Sequence, residues 1–238
     1  MKKTFILLGA LLCMSVAVAQ DVQKIKVACI GNSITFGSGI KDRGRDSYPS
    51  ILNRLLGTDK YEVRNYGVSA RTLLSKGDHP YINEQAYRDA LAFNPDIVTI
   101  KLGTNDTKPH NWKHGAEFKE DLRALVASFQ QLESKPTVYV CYPVYAERLS
   151  WGINDSVAYN YIIPTIQEVA KEMNLPIIDL YTPYKPYHHL SHDGVHPKED
   201  GAAIIAHEIA CAIKETDKKV IKRRQKAAYK LAKEAKKK

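Results

Sequence analysis

The sequence predicts an α/β fold in which helices cover both faces of a mostly parallel, five-stranded sheet. Two observations lead to this prediction. Short segments that are continuously apolar, as buried parallel strands are, alternate along the chain with segments whose apolar residues recur at helical spacing. A region of roughly 200 residues is also large enough to bury one core without disulfide support. We therefore expect a single domain over residues 20–213.

The first half of this domain contains three predicted strands and one predicted helix. The apolar, β-branched run at 25–30 ends at a glycine and predicts the first strand. Residues 48–56 carry apolar side chains at i, i+1, i+4 and i+5, the spacing of a helix face, and Gly57 ends this helix. The second and third strands are predicted at 61–66 and 96–102, and an Asn-Pro pair precedes the third.

The second half continues the alternation of helices and strands. In chain order we expect a helix, a strand, a helix, a short strand and a closing helix, at residues 118–132, 137–142, 162–173, 175–179 and 199–213. Pro164 fits this arrangement because proline is tolerated in the first turn of a helix. Strands that alternate with helices favour a parallel sheet, and functional sites of such sheets gather at the carboxyl ends of the strands.

The N-terminal residues 1–19 have the pattern of a cleavable secretory signal. Two lysines precede an apolar run, and Ala17-Val18-Ala19 stands before Gln20 as a small-residue cleavage site. Cys13 follows a leucine, where lipoprotein processing requires a small residue, and this disfavours a lipid anchor. Beyond residue 19, no apolar stretch of the sequence is long enough to span a membrane. The sequence thus predicts a secreted or periplasmic protein without a transmembrane span.

The formal net charge of +9 lies almost entirely at the C-terminus. Residues 214–238 hold 12 lysines and arginines against 3 acidic residues, whereas residues 20–213 hold 21 basic and 23 acidic residues. A near-neutral domain lacks the basic footprint of a nucleic-acid-binding protein, so no nucleic-acid partner is expected. The basic segment itself predicts a solvated helical extension or tail. Weak contact with an anionic polysaccharide or lipid surface is the alternative interpretation.

Three cysteines remain beyond the predicted signal, and an odd number precludes a complete disulfide framework. Cys29 and Cys141 lie in strand-like runs, and Cys211 lies in a helical one. We expect all three to be buried thiols that fill apolar space. A single disulfide between two of them is the alternative.

The first candidate catalytic motif, Gly31-Asn32-Ser33-Ile34-Thr35, follows the first predicted strand. A serine at this position presents its hydroxyl at the edge of the sheet, where adjacent backbone amides can point at an oxyanion. Taken alone the motif is weak, because an ordinary turn or helix cap uses the same residues. The Gly-x-Ser-x-Gly elbow is absent from the chain, and this argues against an ordinary α/β-hydrolase.

Two further residues are candidate hydrogen-bond donors at the ends of predicted strands. Gly67 follows the second strand, and a glycine permits close approach of a ligand to its backbone amide. Asn105 follows the third strand, where a side-chain amide is a neutral donor suited to negative charge that develops only in a transition state. An ordinary turn residue is the alternative interpretation of each.

A further candidate motif, Asp193-Gly194-Val195-His196-Pro197, precedes the closing helix. An aspartate and a histidine three residues apart, in a loop bent at glycine, can place the carboxylate on one imidazole nitrogen while the other nitrogen faces a serine. This pair is therefore predicted to activate Ser33. The other histidines of this region are His188, His189 and His192. A metal site is the alternative, but the segment has neither a helix nor a zinc-protease signature, so we expect surface histidines and no metal.

Together these motifs resemble those of the SGNH hydrolases, also called GDSL esterases, in their order and in their placement after successive strands. The resemblance spans residues 26–213 and implies a flavodoxin-like three-layer α/β/α sandwich. It also implies a serine esterase that needs no cofactor. The matching catalytic residues are Ser33, Asp193 and His196, and the matching oxyanion-hole residues are Ser33, Gly67 and Asn105. Asn32 is the departure, since the family usually carries aspartate there, and we expect it to alter hydrogen bonding around Ser33 but not the chemistry.

The sequence says less about the substrate. Aromatic side chains can stack on sugar rings, and the predicted substrate-binding residues are Asn32, Trp112, Tyr145 and Trp151, with ordinary packing as the alternative for the aromatic ones. The chain lacks a long apolar lid segment. We therefore expect a small-molecule or oligosaccharide ester with a short acyl group, such as acetyl. The alternatives are a lysophospholipase or thioesterase acting on acyl lipids, a non-catalytic carbohydrate-binding protein on the same fold, and a metal-dependent hydrolase.

Overall fold

Five parallel strands form one sheet at the centre of the structure, a computed structural model that describes residues 23–214. The strands, labelled β1 to β5 in chain order, are Ile25–Gly31, Tyr61–Gly67, Ile97–Lys101, Thr137–Cys141 and Ile177–Ile178. Their order across the sheet is β2-β1-β3-β4-β5, and every neighbouring pair is parallel. The predicted α/β class and its parallel five-stranded sheet are confirmed.

Two predictions concern parts of the chain outside the described residues. The secretory signal at 1–19 and the basic segment beyond residue 214 are not covered by the structure and stay predictions. Within residues 23–214, no helix combines the length and the apolar character needed to cross a lipid bilayer.

Helices cover both faces of the sheet. The longer ones of the described range, labelled α1 to α5, are Tyr48–Leu56, Gln85–Ala92, Phe118–Gln130, Ile163–Glu172 and residues 199–214. Helices α1 and α5 pack on one face of the sheet, and α2, α3 and α4 pack on the other. The predicted three-layer, flavodoxin-like sandwich is therefore confirmed.

Shorter helical segments connect these elements. Single α-helical turns lie at Ser33–Phe36, Arg43–Asp46, Pro109–Trp112, Asp155–Val157 and Tyr181–Tyr184. Segments of 3₁₀-helix lie at Tyr81–Asn83, Asn105–Thr107, Gly115–Glu117, Leu149–Trp151 and Lys185–Leu190, and a π-helical segment at Ala158–Ile162 leads into α4. Several of these segments follow the carboxyl ends of strands, where catalytic residues are expected.

Alternate residues of the central strands build two separate cores. In β1, Val27 and Cys29 belong to the core under α1 and α5, whereas Ala28 and Ile30 belong to the core under α2, α3 and α4. All four residues are fully buried. Burial on both faces of the sheet explains why the strands read as continuous apolar runs in the sequence.

The structure departs from the predicted elements in two places. Helix α2 has no counterpart among the predicted elements, because Ala90 is its one buried residue and its apolar stripe is correspondingly thin. Strand β5 is two residues long where 175–179 was expected; it pairs with β4 at the edge of the sheet, and its residue Ile177 is exposed. Pro164 is the second residue of α4, which agrees with its predicted place in the first helical turn.

The three cysteines of the described range are all free thiols, so the alternative of a disulfide among them is not realised. Cys29 and Cys141 are buried, as expected, and burial raises the pKa of Cys29 to about 12 and that of Cys141 further still. The same expectation was wrong for Cys211, which is exposed on the outer side of α5. The two buried thiols are thus neutral fillers of the core under α1 and α5.

Candidate active site

Ser33 lies at the point where β1 turns into a short helix. It is the first residue of the helical turn Ser33–Phe36, and Asn32 caps that turn by accepting a hydrogen bond from the Ile34 N–H at 3.1 Å. Strand β1 lies between β2 and β3, where the strand order reverses. Open α/β sheets bind their ligands in the crevice at such a reversal, so the fold places Ser33 at the expected site.

Two glycines allow the turn that carries Ser33 to lie directly against the strand ends. A Cβ atom on Gly31 would overlap the Thr35 hydroxyl, and one on Gly67 would overlap the backbone of Thr35 and Phe36. Gly31 and Gly67 are also paired in the register of β1 and β2. Gly31 and Gly67 therefore both have a packing role.

His196 connects the serine to Asp193. Ser33 Oγ lies 2.8 Å from His196 Nε2, and His196 Nδ1 lies 2.7 Å from Asp193 Oδ2. Because an ionised carboxylate only accepts hydrogen bonds, Nδ1 carries the hydrogen in this geometry and Nε2 can accept from the serine hydroxyl. The three side chains are thus arranged as a nucleophile, a general base and a carboxylate that orients the base.

The Asp193 carboxylate is held by its own loop. Its Oδ1 accepts hydrogen bonds from the backbone N–H groups of Val195 and His196, at 2.9 and 2.8 Å. Partial burial opposes ionisation, but the hydrogen bonds from the His196 ring and from the two amides outweigh it and lower the pKa of Asp193 below its usual value. Asp193 is therefore kept as the anion that orients the imidazole.

The loop that carries Asp193 and His196 is anchored to the segment after β4. The Glu147 N–H donates to Gly194 O at 3.0 Å, and the Arg148 guanidinium donates to Asp193 O at 3.2 Å. Gly194 has a φ of 84° and lies against the Glu147 carbonyl, so a residue with a side chain would be strained at this position. These contacts fix the histidine loop relative to the sheet.

Asn105 begins the 3₁₀ segment after β3 and lines the same cavity as Ser33. Its Nδ2 donates to Arg71 O at 3.1 Å, and its backbone carbonyl accepts from Asn111 Nδ2 at 2.9 Å. A side-chain amide nitrogen carries two hydrogens, so one of them remains for a ligand. The structure thus brings Asn105 together with Ser33 and His196.

Gly67 does not offer its backbone amide to this cavity. The Gly67 N–H donates to Asn65 Oδ1 at 2.9 Å, and Gly67 is not part of the cavity wall. Ala70, three residues later, does line the cavity and has a left-handed backbone with a φ of 67°. Among residues 23–214, neither the Ala70 N–H nor the Ser33 N–H donates a hydrogen bond. Ser69, which also lines the cavity, has no acceptor for its N–H within the same range either, and Ala70 differs from it by its left-handed backbone. We take Ala70 as the candidate donor of this loop, and no sequence signal marked it, because alanine rarely adopts positive φ.

The cavity beside Ser33 has a volume of about 390 Å³. Trp151 forms part of its wall, is 45% exposed, and has its ring centroid 6.1 Å from that of His196. The Arg148 guanidinium lies over the Trp151 ring at 3.7 Å from the centroid. The remaining wall includes Ser38, Ser69, Lys108, Ile153 and Val195. The cavity is small, mixed in polarity and open beside an aromatic ring.

Of the predicted substrate-binding residues, Trp151 alone lines this cavity within the described range. Asn32 is fully buried, so it acts on the turn of Ser33 and not on a ligand. Trp112 and Tyr145 pack against other aromatic side chains and against the two cores of the sheet. The structure therefore does not bring Trp112 or Tyr145 into the cavity wall.

The histidines before Asp193 have other neighbours. The His188 ring packs edge-on against Tyr145 at 5.6 Å between centroids, and His192 lies against Gly39. Within the part of the chain that the structure describes, no group of three or more His, Cys, Asp or Glu side chains is arranged to hold a metal ion.

Two residues that the motifs did not assign hold the site together. Asp106 is fully buried, its Oδ1 accepts from the Leu74 N–H at 2.8 Å, and burial raises its pKa to about 6. Asn111 accepts from the Asp78 N–H at 2.8 Å and donates to the carbonyl of Asn105. They tie the loop after β2 to the turn that begins at Asn105. Asp106 directly follows Asn105 in the sequence, but nothing in the sequence marks Asn111.

The chain matches one family model over most of the described range. The model of the GDSL-like lipase/acylhydrolase family matches residues 29–204, a span that includes Ser33, Asn105, Asp193 and His196. An acetylxylan esterase of Xylanibacter ruminicola is 47% identical over 208 residues. That match covers 80% of this chain and 43% of the relative, so the chain spans less than half the length of the curated relative it matches.

Solved structures with a similar fold include two esterases. The acetyl xylan esterase AlAXEase is 23% identical, with a TM-score of 0.63 and coverage of 79% of this chain and 100% of that chain. Est24, a carbohydrate acetylesterase from Sinorhizobium meliloti, is 19% identical, with a TM-score of 0.66 and coverage of 81% and 99%. At these identities the likeness shows the fold alone.

Proposed function

Since this chain belongs to the GDSL-like lipase/acylhydrolase family, we propose that it is a serine esterase that removes short acyl groups, chiefly acetyl, from carbohydrate esters. The observation that carries the proposal is the hydrogen-bonded series of Ser33, His196 and Asp193, with Oγ–Nε2 and Nδ1–Oδ2 distances of 2.8 and 2.7 Å. These distances are those of a nucleophile and its general base.

The series supports a two-step mechanism. Ser33 Oγ attacks the ester carbonyl while its proton moves to His196 Nε2. His196 then returns the proton to the leaving alcohol, and the acyl group stays on Ser33. A water molecule, deprotonated by the same histidine, releases the acid and restores the serine hydroxyl. Asp193 stays ionised and stabilises the imidazolium in both steps.

Three donors stabilise the tetrahedral intermediate in this proposal: the N–H of Ser33, the N–H of Ala70 and the side-chain amide of Asn105. All three residues line the cavity. Ala70 takes the place that the sequence assigned to Gly67, because the Gly67 N–H already donates to Asn65. One such donor lowers the barrier by about 3 kcal/mol. The mechanism uses no cofactor.

Two features support a carbohydrate ester with a small acyl group. A cavity of about 390 Å³, walled in part by serine and alanine side chains, has room for an acetyl group. Arg148 lies over the Trp151 ring, which leaves the other face of that ring for a sugar. The name of the 47% identical relative, an acetylxylan esterase, points to the same substrate class.

The first test of the function is the variant Ser33→Ala. We expect it to abolish acetate release from p-nitrophenyl acetate and from acetylated xylo-oligosaccharides, because Ser33 is the nucleophile paired with His196 among residues 23–214. Ser128→Ala is the matched control, since the Ser128 hydroxyl bonds only within helix α3, to the Leu125 carbonyl. The measurement is kcat/KM for both substrates, with circular dichroism to establish folding.

The same assay separates the alternatives. Full activity of a folded Ser33→Ala variant would exclude a serine esterase. A wild-type protein that binds acetylated xylo-oligosaccharides but releases no acetate would instead be a carbohydrate-binding protein on this fold. Release of long-chain acids from lipids or thioesters, faster than release of acetate, would favour the lipase or thioesterase alternative.

We also propose that the enzyme acts outside the cytoplasm, because residues 1–19 have the pattern of a secretory signal. Expression of the full sequence, followed by N-terminal sequencing of the extracellular or periplasmic fraction, tests this proposal. We expect the processed chain to begin at Gln20. Retention of the unprocessed chain in the cytoplasm would contradict it.

A further inference from the structure

Lys101 is a fully buried lysine directly beneath the catalytic turn. It is the last residue of β3, it has no exposed surface, and it is among the largest completely buried side chains of the described range. Its Nζ donates to Asn32 Oδ1 at 3.0 Å. No ion pair of Lys101 is found among residues 23–214, so its amino group is buried with a neutral amide as its partner. Burial of a charge without a counter-ion is costly, and such a residue calls for a functional explanation.

The Asn32 side chain links this lysine to the nucleophile. Its Oδ1 accepts from Lys101 Nζ at 3.0 Å and from the Ile34 N–H at 3.1 Å, so one oxygen joins β3 to the turn of Ser33. The Nδ2 atom of the same amide is buried and has no hydrogen-bond partner. A buried, unpartnered amide nitrogen costs stability. The orientation of the Asn32 side chain is thus set by the two hydrogen bonds that its oxygen accepts.

Among residues 23–214, the titratable side chains of the core on this side of the sheet are cysteines and tyrosines. Cys141 on β4 is the titratable group that acts on the Lys101 amine, and Cys29 on β1 and Tyr48 on α1 belong to the same core. Burial raises the pKa of all three, so they stay neutral. The same burial lowers the pKa of Lys101 itself to about 7.

We propose that Lys101 is a positioning residue: its ammonium group, acting through Asn32, holds the helical turn that presents Ser33 and its backbone amide. A hydrogen bond from an ammonium group is about twice as strong as one from a neutral amine. The protonated lysine also places a positive charge next to the Asn32 side chain that caps the turn of Ser33. This inference rests on the esterase function proposed above.

A positioning role of Lys101 predicts a specific effect on kcat and KM. Lys101 does not line the cavity, so its loss leaves KM almost unchanged and acts on kcat. When the pH rises through the titration of Lys101, the ammonium loses its proton, its bond to Asn32 weakens and kcat declines. An aspartate at position 32 would keep both hydrogen bonds and supply the missing counter-ion, so Asn32→Asp should move that decline to higher pH.

The test compares the full-length wild type with Lys101→Met, Asn32→Asp and Lys26→Met. Lys26 is the matched control, because its ammonium group also makes one hydrogen bond, to the Phe93 carbonyl at 2.7 Å, but lies near the amino end of β1. The measurements are kcat and KM for acetate release from acetylated xylo-oligosaccharides from about pH 5.5 to about pH 9.

We expect Lys101→Met to lower kcat about tenfold or more at about pH 6, to change KM by less than about twofold, and to lose the alkaline decline. Asn32→Asp should shift the decline upward by about one pH unit or more, and Lys26→Met should follow the wild type. If Lys101 only stabilised the fold, its replacement would lower the stability of the protein, and the pH profiles of kcat for Lys101→Met and Asn32→Asp would have the shape of the wild-type profile.

An unchanged kcat in a folded Lys101→Met variant overturns the inference, as does an Asn32→Asp profile that coincides with the wild type. If Lys101→Met does not fold, the Asn32→Asp profile decides by itself. The proposed function fails separately: a wild type without Ser33-dependent acetate release rejects the esterase, whereas an active wild type with insensitive variants at positions 32 and 101 rejects the role of Lys101 alone.

Discussion

Asn105 serves two neighbours with one side chain. Its Nδ2 bonds to the Arg71 carbonyl, and the second hydrogen of the same nitrogen remains for the cavity. The bond to Arg71 fixes the orientation of the amide before any substrate arrives. A donor that is oriented in advance stabilises developing charge without further reorganisation, which is the property that an oxyanion hole needs.

The variant Asn105→Ala tests this role. We expect it to lower kcat by a factor of about 100 to 1,000 with a smaller effect on KM, because the lost donor acts mainly on the transition state. The measurement is steady-state kinetics on p-nitrophenyl acetate. Asn160→Ala is the control, since the Asn160 side chain donates to Ser156 and Asn160 is not part of the cavity wall. A similar fall of kcat in both variants, or a change of KM alone in Asn105→Ala, would contradict the role of Asn105 as an oxyanion-hole donor.

The buried amine of Lys101 also leads us to expect that stability rises with pH, whereas kcat falls. The pKa of Lys101 is about 7 in the folded protein against an ordinary value of 10.5. Below the lower value both states hold the proton, and between the two values the unfolded state holds more. The free energy of unfolding therefore rises with pH in that window, by at most about 1.4 kcal/mol per pH unit for one group.

Urea unfolding of the wild type and of Lys101→Met, at several pH values from about 6 to about 9.5, measures this effect. We expect the wild type to gain stability relative to the variant as the pH rises, because the variant lacks the buried amine and the contributions of other groups cancel in the difference. A difference that is independent of pH would show that Lys101 does not lose its proton on folding in this range.

At the scale of elements, the short 3₁₀ segment Leu149–Trp151 is coupled to the histidine loop. Arg148, just before the segment, bonds to Asp193 O and lies over the Trp151 ring, and the Trp151 ring lies beside His196. The segment that supplies the exposed aromatic wall of the cavity is thus held by the loop that carries His196. Trp151 and His196 are therefore linked through one pair of loops.

This coupling predicts a substrate-dependent effect of Trp151→Ala. We expect kcat/KM to fall about tenfold for acetylated xylo-oligosaccharides and to stay within about twofold for p-nitrophenyl acetate, because only the first substrate has a sugar ring to stack on the indole. Tyr187→Ala is a control with another exposed aromatic residue, which lies outside the cavity wall. Equal losses on both substrates would show that Trp151 supports the histidine loop and does not bind the sugar.

At the scale of the whole molecule, the sheet reverses its strand order between β1 and β3, and a small cavity lies beside Ser33. The cavity volume of about 390 Å³ predicts a preference for small acyl groups. We expect kcat/KM for p-nitrophenyl esters to fall by a factor of about 10 or more from acetate to octanoate, since the cavity is small and its wall includes polar side chains that a longer acyl chain would meet. A p-nitrophenyl ester series of increasing chain length checks this expectation. A rise toward octanoate would favour the lipase alternative.

Most of the strands and helices, and the family of the protein, could be predicted from local patterns in the sequence. The strands β1 to β4 and helices α1, α3, α4 and α5 were predictable because a strand buried on both faces and a helix with an apolar stripe each leave a distinct period. The membership of the SGNH hydrolases was also predictable and is confirmed by the family match over residues 29–204. Helix α2 and the length of β5 were not predictable, because each buries few side chains.

The sequence by itself determined the fold class, the family and the residues that follow strand ends, since parallel strands deliver Ser33 and Asn105 to one edge of the sheet. Only the tertiary structure decided which backbone amide and which aromatic ring reach the cavity, and that Lys101 lies beneath Asn32, 69 residues away along the chain. The reason is physical: local periodicity reports which side chains are buried, whereas hydrogen-bond partners and the direction of an amide depend on contacts between distant segments.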